Sequence, residues 1–302
     1  MPPVPSPARK VRFDFYRVTV RDDEMTFDQI LSRARGLAAG QARTRTVNGT
    51  PVRLQVISQT QAPTTGDMGR IRMTELPPRA TLGGRLSDLN LDADEGLGEE
   101  TAFSYYSGLQ VLVVQRNFYG VSAPSLAGYF TAISGKVVVL EPVIEPGALA
   151  RLRRITDVRQ FDVSVAGIHN PATIAAQERQ DPGFIKMANL LEEFEAPAVH
   201  MHISMEHERG SLSIRRVRSA ARRLISLNNS GEVRVKKIEV RGTTSDDELL
   251  IVDLLKDRMV EEIEVRLNTR RRLPYNARAR ALVEAYNTRE AQLQSLFGRP
   301  EE

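Results

Sequence analysis

The chain contains no cysteine and no tryptophan among its 302 residues, and only 6% of them are aromatic. A protein without cysteine has no disulfide scaffold, no zinc ribbon, no iron–sulfur ligands and no thiol nucleophile. This composition fits a reducing compartment, and we expect a cytoplasmic location. The apolar fraction of 41% and the charged fraction of 26% are typical of a globular protein.

Long apolar runs are also missing from the sequence. No segment approaches the roughly 18 apolar residues of a transmembrane helix, so we expect no membrane span. The first ten residues are rich in proline, and no apolar stretch follows their charges. We therefore expect residues 1–10 to form a disordered lead-in, and we expect no secretory signal.

The overall charge is nearly balanced, with 42 Lys and Arg against 38 Asp and Glu and a net charge of +4. Such a balance gives no strong case for binding to nucleic acid. The local distribution is more informative, because residues 209–237 contain nine basic residues and one acid, Glu232. Residues 88–100 are the opposite extreme, with six acids and no base.

Residue patterns predict a β-rich N-terminal domain at 11–145. The dipeptide Asn48-Gly49 is a strong hairpin signal, since both residues tolerate positive φ. Thr26 fits the N-cap of a helix at 26–37, in which apolar residues recur at helical spacing. The other elements predicted here are a strand at 13–20, a strand at 69–73, a long acidic loop at 80–98, a hairpin at 101–115, a helix at 125–133 and a strand at 136–140.

The second half alternates strands with helices and predicts an α/β domain at 146–302. The fold class expected for the whole chain is therefore α+β, with a β-rich unit followed by an α/β unit that ends in a long helix. The predicted elements of the second half are helices at 148–155, 172–178, 184–194, 213–227 and 275–297, strands at 161–166, 198–205 and 233–240, and a mixed strand-and-helix stretch at 248–265.

The helix predicted at 213–227 separates apolar from basic residues. On a wheel of 100° per residue, its apolar residues fill one side and its arginines fill the other. Guanidinium groups match phosphate oxygens in a bidentate geometry, so we expect this face to bind the phosphate backbone of DNA or RNA. The alternative is a solvated face that pairs with acids elsewhere, such as those at 88–100. The candidate nucleic-acid-binding residues are Arg215, Arg216, Arg218, Arg222, Arg223, Arg234, Lys236 and Lys237.

Two histidines in a His-x-His pattern form the main candidate for a metal site. On a strand, His200 and His202 point to one face, which Ser204 and Glu206 continue. His-x-His with a carboxylate can bind a divalent metal. The alternative, which we favour, is the polar face of a half-buried strand, so we expect no metal and no cofactor. The further histidines, which have no compelling spacing, are His169 and His207.

Other catalytic and binding motifs are absent or incomplete. The acidic stretch at 92–100 fails the EF-hand pattern, and Gly96-x-Gly98 lacks the third glycine of a dinucleotide fingerprint. The sequence contains no P-loop, no G-x-S-x-G and no H-E-x-x-H. A nuclease set of Glu248, Asp253 and Lys256 lacks its structural context. We leave the question of catalysis open and favour a protein that binds without catalysis.

Four short segments of the N-terminal half form a recognisable set. They are Phe13-Asp14-Phe15-Tyr16, Gly69-Arg70-Ile71-Arg72, Gly96-Leu97-Gly98-Glu99-Glu100-Thr101-Ala102-Phe103, and Gln115-Arg116-Asn117 with Gly120-Val121-Ser122. They resemble an uncharacterised bacterial family to which no activity is assigned, over about residues 11–165. The order of elements is also loosely similar in layout to the DNA-binding B subunit of the Kiwa anti-phage system, a similarity that carries over no functional residue.

These resemblances imply a bacterial cytoplasmic protein of a phage-defence or mobile-element system that binds nucleic acid as a homo-oligomer. Together with the basic helix, they lead us to expect a non-catalytic nucleic-acid-binding protein. The first alternative is a metal-dependent nuclease or phosphodiesterase with His200, His202 and Glu206 near the metal. The second is an interaction subunit of a defence complex, whose arginines pair with an acidic partner protein.

Overall fold

The computed structural model describes residues 8–22, 24–58, 63–168, 189, 193–194, 196, 198–206, 208–230, 233–270 and 272–298. Within them the fold is mixed α+β with two β-sheets, which confirms the expected fold class. The strands are β1 (Ala8–Val20), β2 (Thr44–Val47), β3 (Thr50–Ile57), β4 (Thr64–Arg72), β5 (Leu97–Tyr106), β6 (Val111–Gln115), β7 (Val138–Pro142), β8 (Asp157–Ile168), β9 (Ala198–Ser204), β10 (Val233–Thr243), β11 (Leu249–Asp253) and β12 (Val260–Arg266). The helices are α1 (Phe27–Gly36), α2 (Ala123–Ser134), α3 (Pro146–Arg154), α4 (Ile214–Ser230) and α5 (Tyr275–Phe297).

The chain divides into two compact units, and each unit is built from three segments. Strand β1 and helix α5 contribute residues to both units. The continuous domains expected at 11–145 and 146–302 stay a prediction. The first unit contains Met1–Phe13, Val20–Val138 and Glu261–Thr288, and the second contains Asp14–Thr19, Val139–Val260 and Arg289–Glu302.

The first unit is organised around strands in the order β12-β1-β6-β5-β4-β3-β2. The pairs from β2 to β6 are antiparallel. Asn48 (φ 49°) and Gly49 (φ 74°) form the turn between β2 and β3, which confirms the predicted hairpin. Strand β1 begins at Ala8, inside the expected lead-in, of which residues 1–7 lie outside the described residues.

Helix α1 begins at the predicted N-cap. The Thr26 hydroxyl accepts the N–H of Gln29, and the Gln29 side chain accepts the N–H of Thr26 at 2.8 Å. This reciprocal capping box satisfies two N–H groups that the first helical turn would otherwise leave unpaired. Phe27 then packs edge-on against Tyr105 and Phe130, with ring centroids 4.8 and 5.0 Å apart. These contacts pack α1 and α2 against β5.

The second unit contains a four-stranded antiparallel sheet in the order β11-β10-β8-β9. Because alternate residues of a strand share a face, Phe161 and Val163 lie on one face and Asp162 lies on the other. The first face belongs to the apolar core, where Val240 and Ile238 of β10 are their partners in register. Helix α4 contributes to the same core, so it packs on this face of the sheet.

The segment 248–265 forms strands β11 and β12, so the predicted mixture of strand and helix is wrong. Asp253 ends β11, because its Oδ1 accepts the N–H groups of Leu255 and Lys256 at 3.1 and 3.2 Å and turns the chain. The helices predicted at 172–178 and 184–194 lie almost entirely outside the described residues. Among the helices that the structure describes, none is both long and apolar enough to cross a membrane.

Candidate functional site

Helix α4 is amphipathic, and its apolar side is fixed to the core of the second unit. Val217, Ala221 and Leu224 are buried there at a spacing of four and three residues, which places them on one face of the helix. Near its C-terminus, Asn228 Oδ1 accepts the N–H of Val235 at 2.8 Å and ties the helix to β10. The core therefore sets the rotation of α4 about its axis and leaves the basic residues on the other side.

Three of the predicted phosphate-binding residues, Arg215, Arg216 and Arg222, are exposed on α4. None of them forms a hydrogen bond or an ion pair with the described part of the chain. Helix α4 also contains no acidic residue that could neutralise them. These three guanidinium groups, named here the α4 arginine surface, are available to an external anion.

Two other predicted residues, Arg218 and Arg223, are half-buried and interact inside the chain. Arg218 Nη2 donates to the carbonyl oxygen of Leu152 at 3.1 Å, in the last turn of α3. A cation at a helix C-terminus is favourable because the final carbonyl groups have no partner within the helix. The predicted arginine face thus contains three exposed arginines together with Arg218, which joins α4 to α3, and Arg223, which interacts within the chain.

The three predicted residues of β10 do not continue the α4 arginine surface as a set. The strand register shifts at Lys236, which is exposed. Lys237 is half-buried, and its Nζ lies 3.4 Å from Glu239 and 4.0 Å from Asp162. The side chain of Arg234 lies outside the described residues. Lys237 therefore belongs to the polar face of the sheet.

This polar face is organised around Asp162, which is 3% exposed. His202 Nδ1 lies 2.7 Å from Asp162 Oδ1, His200 Nε2 lies 3.6 Å from the same oxygen, and Gln160 donates to Oδ2. Burial raises the pKa of Asp162, but the hydrogen bonds from His202 and Gln160 outweigh it. The pKa therefore lies below the usual value for aspartate. The carboxylate stays ionised within the sheet.

The arrangement places the His-x-His pair on the polar face of a strand. In the described ranges, no group of three or more His, Cys, Asp or Glu side chains could hold a metal ion. Glu206, the carboxylate expected for such a site, follows the end of β9 and has a φ of 43°. His169 and His207 lie outside the described residues. The expectation of no metal and no cofactor stays a prediction.

The three residues of the nuclease set are engaged in two ordinary ion pairs. Glu248 pairs with Arg154, and Asp253 Oδ2 lies 3.2 Å from Lys256 Nζ. Asp253 also caps the turn after β11. Ion pairing and the turn therefore explain the positions of these three side chains as parts of the fold.

A second concentration of charge, which the sequence does not reveal, surrounds Arg278 of α5 in the first unit. Arg278 is 1% exposed, and its Nη1 and Nη2 donate to the two oxygens of Asp67 at 2.7 and 2.8 Å. It also donates to Gln115 at 3.3 Å, to Glu100 at 3.2 Å and to the carbonyl of Leu273 at 3.0 Å. Burial raises the pKa of Asp67, and the hydrogen bonds from Arg278 oppose that rise. A buried charge requires such extensive pairing.

Arg278 forms part of the wall of a cavity of about 780 Å³ within the first unit. Six cationic residues line this cationic cavity against two carboxylates, Glu99 and Glu100. Glu100 is already paired, since it accepts from Arg272 at 2.7 Å as well as from Arg278. The lining cations are Arg9, Lys10, Arg12, Arg116, Arg272 and Arg278.

The loop between β6 and α2 adds two aromatic side chains to the cavity wall. Phe118 is 89% exposed and Tyr119 is 56% exposed. Asn117 fixes the loop, because its Nδ2 donates to the carbonyl of Glu100 at 2.9 Å and its Oδ1 accepts the N–H of Tyr119 at 3.3 Å. Arg70 donates to the Tyr119 carbonyl at 3.3 Å. The exposed rings therefore stand on a backbone that is anchored to β4 and β5.

The sequence offers only partial signals for the cationic cavity. Gln115-Arg116-Asn117 carries the family resemblance but no chemical motif, and Arg9 and Lys10 fall within the expected lead-in. No spacing relates these residues, because the cavity is lined from strands and loops that are far apart in the chain. The signal that locates it is the run of basic, amide and aromatic residues at 116–119.

The described residues thus form a mixed α+β fold with two cation-rich regions, the α4 arginine surface and the cationic cavity. The chain belongs to a family of unknown function, DUF6731, whose model matches residues 6–294. The match confirms membership of an uncharacterised family and extends beyond the residues 11–165 covered by the resemblance. A comparison with curated proteins finds no match.

Proposed function

We propose that this protein binds nucleic acid through the phosphate backbone, without catalysis, and that the α4 arginine surface makes the contacts. The observation that carries the proposal is that Arg215, Arg216 and Arg222 are exposed on one acid-free helix and have no partner in the described residues. Arg218 instead joins α4 to α3, and Arg223 is half-buried and interacts within the chain. The proposal therefore narrows the predicted set to the three exposed arginines of α4 and leaves out Lys236, which is exposed but lies on β10.

The geometry of α4 favours contacts with a phosphate backbone over contacts with bases. A rise of 1.5 Å per residue separates Arg215 from Arg222 by about 10 Å, the length of about three nucleotides along one duplex strand. The helix contains no aromatic residue that could stack on a base. We therefore expect binding that tolerates many sequences.

The test is the salt dependence of binding to a DNA duplex and to a single-stranded RNA. Each phosphate contact contributes about 0.9 to the slope of log affinity against log salt on duplex DNA. The triple variant Arg215→Gln, Arg216→Gln, Arg222→Gln should therefore flatten that slope by up to about 2.7 units. Helix stability should barely change, because glutamine is nearly as good a helix former as arginine.

A matched control removes the same charge elsewhere. The variant Arg21→Gln, Arg79→Gln, Arg85→Gln changes three exposed arginines of the first unit and should keep the parental slope. Equal affinity of the α4 triple variant and the parent at every salt concentration would contradict the proposal. Degradation of the nucleic acid that depends on added Mg²⁺ would favour the nuclease alternative.

We also propose that the protein acts in the bacterial cytoplasm as a self-associating component of a phage-defence or mobile-element system. The proposal rests on the loose resemblance in layout to the DNA-binding B subunit of the Kiwa system, which the order of predicted elements suggests and which stays a prediction. A bacterial host that expresses the protein should show reduced phage plating, and the α4 triple variant should restore it. If the variant protects as well as the parent while a partner protein co-purifies with both, the interaction-subunit alternative gains support.

A further inference from the structure

The cationic cavity takes no part in the proposed contacts of α4, and its chemistry indicates a different ligand. We propose that it binds a nucleotide, whose phosphates contact Arg9 and Lys10 and whose base packs against Phe118. All the residues that line the cavity belong to the first unit, and the α4 arginine surface belongs to the second. This inference therefore stands independently of the proposed function.

The charge of the cavity favours an anion. Arg278 is neutralised by Asp67, and Arg272 shares Glu100 with it. Arg9 and Lys10 are exposed and form no ion pair with the described residues. Their charges are therefore not balanced by the described residues of the first unit. A concave wall lined by charges of one sign concentrates the electric field, so a cationic wall attracts anionic ligands.

The two aromatic rings supply a flat apolar surface, with which an anion such as inorganic phosphate could not stack. Phe118 and Tyr119 meet edge to face with their centroids 5.0 Å apart, and the Arg72 guanidinium lies 5.9 Å from the Tyr119 ring. The loop is held further by Thr101, whose hydroxyl accepts the N–H of Val121 at 2.9 Å. An anchored ring that stays exposed is available to stack, and stacking on a base tolerates any base.

Glycine leaves room on the cavity side of β5. Gly98 is two residues from Glu100, so both lie on the face of the sheet that carries the Arg278–Asp67 pair. A Cβ added at Gly98 would meet no atom within 4 Å. The volume of about 780 Å³ lies within the ~300–1,000 Å³ typical of small-molecule sites. The space is therefore sufficient for a nucleotide.

A nucleotide combines the two features that the cavity offers to a ligand, because it carries several negative charges and a flat aromatic base. A free nucleoside triphosphate and the 5′-phosphorylated end of a single strand present the same chemistry. The experiment therefore includes both sources. Its probes are ATP, tripolyphosphate, and oligothymidylate with and without a 5′-phosphate, each titrated calorimetrically against the full chain.

The variants separate the phosphate contacts from the base contact. Phe118→Ala should weaken ATP about ten-fold and leave tripolyphosphate unchanged, since loss of one stacking partner acts only on the base. Arg9→Gln with Lys10→Gln should weaken the binding of ATP and of tripolyphosphate. Gly98→Leu should weaken ATP binding, because the leucine side chain takes up part of the cavity beside β5. The matched controls are Phe194→Ala, an exposed phenylalanine of the second unit, and Arg79→Gln with Arg85→Gln.

Tight binding of ATP supports a free nucleotide as ligand, and binding of oligothymidylate only with its 5′-phosphate supports a strand end. If neither ATP nor oligothymidylate with its 5′-phosphate binds, the inference is overturned. Equal ATP affinity in the parent, in Phe118→Ala and in the Arg9 and Lys10 variant overturns it as well. These exposed variants keep the test decisive even where Gly98→Leu fails to fold. Retained ATP binding in the α4 triple variant separates this inference from the proposed function.

Discussion

Arg278 and the arginines of α4 show two opposite uses of the same side chain. Arg278 is buried in the first unit, where β4, β5 and β6 each supply an acceptor for its guanidinium. Arg215, Arg216 and Arg222 are exposed in the second unit without partners in the described residues. A dense run of arginines cannot be buried, because each guanidinium needs several acceptors. A single arginine can be buried, and the charges of its neighbours in the sequence do not indicate that it is.

The largest expected effect is the loss of the buried pair in the first unit. Arg278→Met leaves Asp67 buried without its partner, which should lower the free energy of unfolding by about 3–5 kcal/mol. Urea unfolding measures the change. Adding Asp67→Leu to Arg278→Met should recover part of the loss, because an apolar pair leaves no buried charge.

The control for this prediction lies on the same helix. Arg280 is exposed on α5, and Arg280→Met should change the free energy of unfolding by less than about 0.5 kcal/mol. If Arg278→Met costs no more than Arg280→Met, the buried arginine contributes nothing that an exposed one does not. The contrast between the two kinds of arginine would then be lost.

A smaller effect is expected inside α4, where the two kinds of arginine are two residues apart. Arg218→Gln loses the hydrogen bond to the carbonyl of Leu152, so it should cost about 1 kcal/mol. Arg216→Gln should cost less than about 0.5 kcal/mol and should instead weaken binding to nucleic acid. Thermal unfolding and salt-dependent binding, measured on both variants, check the prediction. The reverse pattern would mean that the free and structural parts of the arginine face are assigned wrongly.

An effect of about the same size as that of Arg218→Gln is expected at Asp162, and it depends on pH. Its pKa is lowered in the folded state, so the ionised carboxylate adds stability above the unfolded pKa of about 3.9. That contribution is lost as the pH falls through the folded pKa. Asp162→Asn should therefore lower the free energy of unfolding by roughly 1 kcal/mol at pH 7, and the difference should shrink below about pH 4.

The matched control for Asp162 is Asp88→Asn, which changes an exposed aspartate of the long loop. Its effect on the free energy of unfolding should be small at pH 7 and at acidic pH alike. A difference between parent and Asp162→Asn that persists unchanged at pH 3 would show that packing, and not charge, stabilises this position.

Features that depend on neighbouring residues were predictable from the sequence. The capping box of α1 joins Thr26 to Gln29, and the first hairpin turn needs only Asn48-Gly49. The amphipathic pattern of α4 likewise gave its buried and exposed sides. Each of these signals acts within one or two turns of the chain, where local propensity and packing agree.

Features that depend on distant residues were not predictable. Arg278 and Asp67 are 211 residues apart, and nothing in either segment indicates the other. The continuous apolar run at 249–252 hides an alternation of exposed and buried positions that only the sheet reveals. The split of the arginine face depends on Leu152, because a wheel drawn for α4 contains no information about α3.

The distance between Asp67 and Arg278 has a consequence for synthesis on the ribosome. At about 5–20 residues per second, elongation from residue 67 to residue 278 takes roughly 10–40 s. Strands β3 to β6 are complete once residue 115 is added, but for the rest of that interval the Asp67 carboxylate lacks its partner. Completion of the first unit must therefore wait for α5. A growing chain without α5 is the form that a chaperone would meet.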